Sequence, residues 1–243
     1  MPRLLIPKRV SYTIKSKSGY DRAGTKAFIE YGTKIPARMT KIQRQDFLKS
    51  LAENSEFFIK RVNANQLLIG KVLKKAGIHT EKYVQDLHDG TYLIQAEGIA
   101  LGSAKGAELL RKVGVSKILE LEGIVAKMFS LGISHGHIHM GNIVITPRGE
   151  FKIIDLGKTR MQAIPKKPTA KWLIGRYKND LLTFASSLGT LLVKYKIFPD
   201  SLRLEGAIIS NVVGKFMMMN SNISVEAATA LENSALREFG YVS

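Results

Sequence analysis

GISHGHIHMGNIVITPRGEFKIIDLGKTR, residues 132–160, is where local structure and chemistry can be read from the same letters. Gly132 closes a preceding segment, residues 116–131, in which Ile118, Leu121, Val125 and Met128 fall on one face at helical spacing. A loop then presents His135, His137, His139 and Asn142. The apolar runs 143–145 and 151–154, separated by Pro147-Arg148-Gly149, predict a tight hairpin that delivers Asp155-Leu156-Gly157. This layout sets an amide oxygen and a carboxylate on adjacent loops at the ends of two paired strands. Two hard oxygen ligands of this kind, completed by phosphate oxygens and water, suit Mg²⁺. Gly157 is expected to let the chain turn sharply after the carboxylate.

Outward from this segment the two sides of the chain differ. Toward the C-terminus, residues 180–195, 202–219 and 224–239 read as helices, with Asp180 opening the first of them, where an acid suits the helix dipole. Met217-Met218-Met219 reads as core filler. Toward the N-terminus, residues 25–31 predict a strand, 39–51 a helix with basic faces, and 56–62 (EFFIKRV) a β-rich run. Residues 64–76 follow at helical spacing and stop at Gly77. Residues 83–87 and 91–95 flank His88-Asp89-Gly90, a hairpin signal. The sequence therefore predicts an α+β fold: a small β-rich part over residues 1–97, with a helix inserted near 39–52, and a helical part over 98–243.

Composition narrows the chemistry. The chain has no cysteine, which removes disulfides, thiolate ligands and cysteine nucleophiles and suits a reducing compartment. The N-terminal letters MPRLLIPKRV lack the apolar core of a signal peptide, and the longest uncharged apolar run, 181–193, is too short to span a bilayer. A formal net charge of +17 favours an acidic partner: a protein, a nucleic acid or an anionic surface. Residues 1–45 carry eleven Lys and Arg against Asp21 and Glu30, and residues 158–178 carry seven and no acid. Aromatic residues do not alternate with the basic ones, so a stacking platform for single strands has no special support.

The spacing His135-Gly-His137, four residues, Asn142, hairpin, Asp155-Leu156-Gly157 resembles the catalytic and metal-binding loops of the protein-kinase-like superfamily. The His-Gly start and His139 resemble aminoglycoside phosphotransferases, RIO-type kinases and the minimal kinases that bacteria inject into host cells. The resemblance covers residues 56–190 and implies a two-lobed fold that uses ATP and Mg²⁺. By that resemblance Asn142 binds the second metal and Asp155 the bridging one, and Asp180 matches the aspartate that braces the catalytic loop from below. One position departs: His137 stands where the family keeps its catalytic aspartate. Either phosphoryl transfer is lost and the chain only binds, or a neutral imidazole accepts the hydroxyl proton. An alternative for His135, His137 and His139 is zinc binding from one face of an extended segment. A glycine on each side of the loop argues for a turn instead, and His135 reads as a buried histidine bracing the loop.

On the nucleotide side, the resemblance makes Lys60, in the β-rich run before a helix, the lysine that contacts phosphates. That helix offers Asn65 and Gln66 where the family has a glutamate, and Gln66 is placed to hydrogen-bond Lys60. Gly19, Gly24 and Thr25 resemble a degenerate glycine-rich loop over the phosphates. They do not form a P-loop, because Gly-Thr-Lys leads into a strand pattern. After the strand that ends at Gln95, Ala96-Glu97-Gly98 is the hinge whose backbone would bind adenine, and Gln95, Glu97 and His139 are placed on the cofactor side. The expected activity is ATP- and Mg²⁺-dependent phosphoryl transfer to a protein hydroxyl, catalytically impaired by His137. The alternatives are a pseudokinase module docking an acidic protein, or a RIO-like protein associated with RNA or ribosomes. The expected place of action is the cytoplasm, or a host cell after secretion by a bacterium.

Overall fold

The computed structural model of the 243-residue chain describes residues 25–27, 57–86, 91–95, 98–114, 116–198 and 202–221. In chain order the first elements are β1 (Thr25–Ala27), β2 (Phe57–Arg61), α1 (Ala64–Lys75), β3 (His79–Thr80), β4 (Lys82–Asp86), β5 (Thr91–Gln95) and β6 (Ile99–Ala100). They continue with α2 (Ala104–Val113), α3 (Lys117–Ser130), β7 (Ile133–Ser134), β8 (Ile143–Ile145), β9 (Phe151–Ile153), β10 (Arg160–Met161), α4 (Ala170–Lys194) and α5 (Leu202–Ser221). The class is α+β. The described residues fall into two compact units, one drawn from 1–68 and 81–97, the other from 69–80 and 98–243. The expected helices at 39–52 and 224–239, and the expected cofactor residues Gly19, Gly24 and Glu97, lie outside the described residues.

The first unit is an antiparallel sheet in the order β1-β2-β5-β4. Val62 and Ile94 are buried in it, and the Tyr83 and Tyr92 rings meet edge-on with centroids 5.7 Å apart. The helix that follows β2 begins with a reciprocal cap: Gln66 N donates to Asn63 Oδ1 and Asn63 N donates to Gln66 Oε1, both at 2.9 Å. Each bond satisfies a backbone N–H with no partner inside the helix.

The second unit holds the sheet β3-β9-β8-β6, mixed because β3 runs parallel to β9, and a two-stranded sheet of β7 and β10. The expected β8–β9 hairpin pairs Ile143 with Ile153 and Ile145 with Phe151, with these apolar side chains buried and Val144 and Lys152 on the other face. Its turn closes with Gly149 N donating to Thr146 O at 2.8 Å. Helices α3, α4 and α5 enclose the core, where Phe129, Leu181, Phe184, Val212 and Phe216 are fully buried. Burial of a side chain of this size stabilises by about 1.5–3 kcal/mol. Between α3 and α5 the buried Glu122 accepts from Lys215 Nζ at 3.0 Å and Asn211 Nδ2 at 3.4 Å. Burial still pushes its carboxyl above the ordinary value, against the downward pull of those two donors.

Helix α4 corrects the sequence expectation. It starts ten residues before Asp180, capped by Thr169, whose Oγ1 accepts from Trp172 N at 3.1 Å. What the sequence misses is the earlier helical stretch, 170–176; Asp180 itself still stands in the first turn of the helix that follows it. It lies just past a break at Tyr177 (φ −114°, ψ 17°), whose ring stacks on Phe129 and whose hydroxyl donates to Phe129 O at 3.3 Å. The cations and prolines of 158–178 hide this first helical stretch in the sequence, although Leu173, Ile174 and Tyr177 in it are buried.

Candidate functional site

The loop carrying the histidines is closed at both ends by main chain. Helix α3 stops at Gly132, and β7 follows at once. After the hairpin, β10 returns to pair with β7, Arg160 opposite Ser134 and Met161 opposite Ile133. Residues 135–159 are thus a closed excursion from one short sheet. Gly136 adopts φ +76°, and a Cβ there would sit 2.9 Å from Lys158 O, so only glycine lets the two arms approach this closely.

Asp180 fixes the loop from beneath. Its Oδ2 accepts from Ser134 Oγ and from His135 N, both at 2.8 Å, and its Oδ1 accepts from Gly136 N at 2.9 Å. The carboxylate is 3% exposed, so three protein donors replace its water. From the other side, Thr159 Oγ1 donates to His135 O at 3.4 Å.

Asn142 and Asp155 arrive at one end of the hairpin. Ile154 N donates to Asn142 O at 2.9 Å, one residue beyond the Ile143–Ile153 pair, and Asp155 is next in the chain. Asn142 Nδ2 donates to His137 O at 2.9 Å. That bond fixes the amide orientation, since an amide oxygen would face a carbonyl oxygen. Asp155 is left-handed, with φ 59° and ψ 56°. Aspartate tolerates this conformation better than most residues, and such strain collects at functional sites. The sharp turn expected of Gly157 is made by Asp155 itself, and residues Leu156–Lys158 follow as one 3-10 turn.

The three histidines do not share a face. His135 is fully buried, and its Nε2 donates to Ile154 O at 2.9 Å, which leaves Nδ1 without a hydrogen and without a partner. Burial pushes this imidazole below its ordinary value, against the pull of Ile154 O, Asp180 and Asp155. His135 is therefore the brace that the sequence suggests. The rings of His137 and His139 meet edge-on with centroids 4.5 Å apart. His139 Nδ1 accepts from Gly141 N at 3.0 Å and caps the 3-10 turn Met140–Asn142. Partial burial, then the neighbouring His137, lower the His139 imidazole, while Asp155 raises it. With His135 turned into the core, the zinc alternative loses its first ligand. Among the described residues no three His, Asp or Glu side chains come together to hold a metal. The hard-oxygen pair of Asn142 and Asp155 has a donor set that suits Mg²⁺ completed by phosphate oxygens and water.

Lys60, Thr25 and Gln95 belong to the first unit, in β2, β1 and β5. Lys60 Nζ meets Glu81 Oε1 at 2.8 Å, and Glu81, 3% exposed in its side chain, also accepts from Tyr83 Oη at 3.2 Å. The expected bond between Lys60 and Gln66 is absent, because Gln66 is occupied by the helix cap. Glu81 is the partner that inspection of the helix misses. Its signal in the sequence is position: it is the first acidic residue after Lys60.

No family model matches the chain, and no curated protein does. Among the described residues no helix is long and apolar enough to cross a membrane.

Proposed function

We propose that this chain is a phosphotransferase of two-lobed, protein-kinase-like build, with residues 1–97 as the nucleotide-covering lobe and 98–243 as the lobe of the catalytic loop. Its phosphoryl donor is ATP with Mg²⁺, and its acceptor is a protein hydroxyl. The observation that carries this is the joint arrangement at the hairpin end: Asn142 tied to the His137 main chain, left-handed Asp155 one residue past the Asn142–Ile154 bond, and Asp180 holding the loop by three hydrogen bonds.

In this account Asn142 Oδ1 and Asp155 would hold the metal. Mg²⁺, when bound, would neutralise negative charge on the phosphate oxygens. His137 receives the proton of the attacking hydroxyl. The new P–O bond forms to that hydroxyl oxygen as the bond between the β- and γ-phosphates breaks, and ADP leaves with the bridging oxygen. His139 holds the turn that carries Asn142, which makes it a positioning residue.

Magnitudes bear on the histidine. A positioned base contributes about 10²–10⁴ in rate, whereas phosphoryl transfer depends chiefly on positioning and charge neutralisation. His137 is therefore expected to give a slow enzyme. Its presence also favours a second reading, nucleotide binding without turnover.

The test is transfer of labelled γ-phosphate from ATP to acidic and basic carrier proteins. Transfer that is abolished by Asp155→Asn and raised by about 10²-fold or more in His137→Asp is the expected result. Absence of transfer in both the original chain and His137→Asp, with ATP bound, would establish the binding module instead.

A further inference from the structure

We propose that the cationic strip of residues 158–178 is a docking surface for an acidic segment of the phosphorylated protein, so that preferred acceptors carry Asp or Glu beside the reactive hydroxyl. This rests on the phosphotransferase function and names its substrate class.

The strip contains Lys158, Arg160, Lys166, Lys167, Lys171, Arg176 and Lys178, and all seven are exposed. No acidic residue lies between Lys158 and Lys178, and none of the seven forms an ion pair with a described residue. Uncompensated like charges repel one another, and an anionic ligand relieves that repulsion. Lys171 sits in the first turn of α4, where the helix dipole disfavours a cation. Local helix stability therefore does not explain it.

The strip is fastened to the site at both ends. Lys158 ends the turn that starts at Asp155, and Arg160 pairs with Ser134. Lys178 precedes by two residues the carboxylate that holds Ser134, His135 and Gly136. At the Lys158 end the strip touches Gly136, where an added Cβ would stand 2.9 Å from Lys158 O, so an anionic segment bound there meets the loop that carries His137. The aromatic residues of the strip favour a peptide over single-stranded nucleic acid. Trp172 and Tyr177 pack against each other, Trp172 also stacks with Phe216, and Tyr177 stacks with Phe129. Neither ring is left to stack on a base.

The experiment uses the full chain and four labelled probes of equal length: serine peptides flanked by Glu, by Ala or by Lys, and a single-stranded RNA. Binding is read by fluorescence anisotropy and phosphate transfer by radiolabel, with Lys166→Glu/Lys167→Glu/Lys171→Glu as the comparison. The Glu-flanked peptide is expected to bind about tenfold tighter than the Ala-flanked one, to weaken steeply with salt, and to lose about tenfold in the charge-reversed variant. KM for transfer is expected to follow binding, with kcat unchanged. Equal KM for Glu- and Ala-flanked peptides, or tighter binding of RNA than of the Glu-flanked peptide, would overturn the proposal while leaving phosphoryl transfer intact. Tight binding of the Glu-flanked peptide with no transfer to any probe would instead overturn the phosphotransferase function, and with it the substrate assignment.

Discussion

His135 shows what a single buried side chain demands of its surroundings. Its Nε2–H is satisfied by Ile154 O, and its bare Nδ1 faces the core without a donor. Charging this ring would place a cation inside the unit, so burial lowers its pKa. The linkage has a definite sign. As pH falls below 6.5, the ordinary value, the unfolded chain takes up the proton before the folded one, so stability is lost as pH falls toward the depressed folded pKa. His139 is lowered too and acts in the same direction. Glu122 acts oppositely, because its raised pKa makes the fold lose stability as pH rises from 4.5. The melting temperature is therefore expected to drop from pH 7.5 to about 5.5. In His135→Gln, which keeps a donor for Ile154 O but does not titrate, the drop should be smaller; an unchanged slope would contradict the role assigned to His135. At this scale the sequence was informative where chemistry is local. Asn142, Asp155 and the bracing histidine are legible from spacing and turn residues. Glu81 was not, because its contact with Lys60 closes across 21 residues and depends on where β4 begins.

Among the elements, α4 contributes most to the site. It delivers Asp180 to the end of β7 and packs its kinked turn on α3 through Tyr177 and Phe129. Replacing Asp180 by Ala leaves Ser134 Oγ and two main-chain N–H groups without their acceptor. Chemical denaturation is expected to show a loss of at least about 1–3 kcal/mol, the cost of leaving the fully buried His135 N unpaired, since the part-buried Ser134 and Gly136 donors can regain water. Phosphate transfer should vanish even where the variant remains folded. A loss below about 1 kcal/mol would mean that water replaces the carboxylate and that the loop does not depend on it. The elements with strong periodicity, α1, α3 and the β8–β9 hairpin, stand where the sequence puts them. The start of α4 was hidden because its exposed side carries cations that read as loop. Helix α2 was missed although Ser103 caps it, with Oγ accepting from Gly106 N at 3.1 Å. Its short apolar set, Ala107, Leu109 and Leu110, gave too weak a period.

Taken as a whole, the molecule joins an α+β frame to a strong positive charge, and the nucleotide is the first anion it is expected to meet. Asn142 and Asp155 offer two oxygens, too few to hold Mg²⁺ firmly without phosphate. ATP and the metal should therefore bind together and weakly apart. Cationic residues alone would also attract ATP, but that attraction falls with salt and does not require a divalent ion. Isothermal titration of ATP into the full chain, with and without Mg²⁺ at physiological salt, separates the two cases. Binding that requires Mg²⁺ and is lost in Asp155→Asn is the result predicted here. ATP binding that is equally strong without the metal, or unchanged by Asp155→Asn, would contradict it.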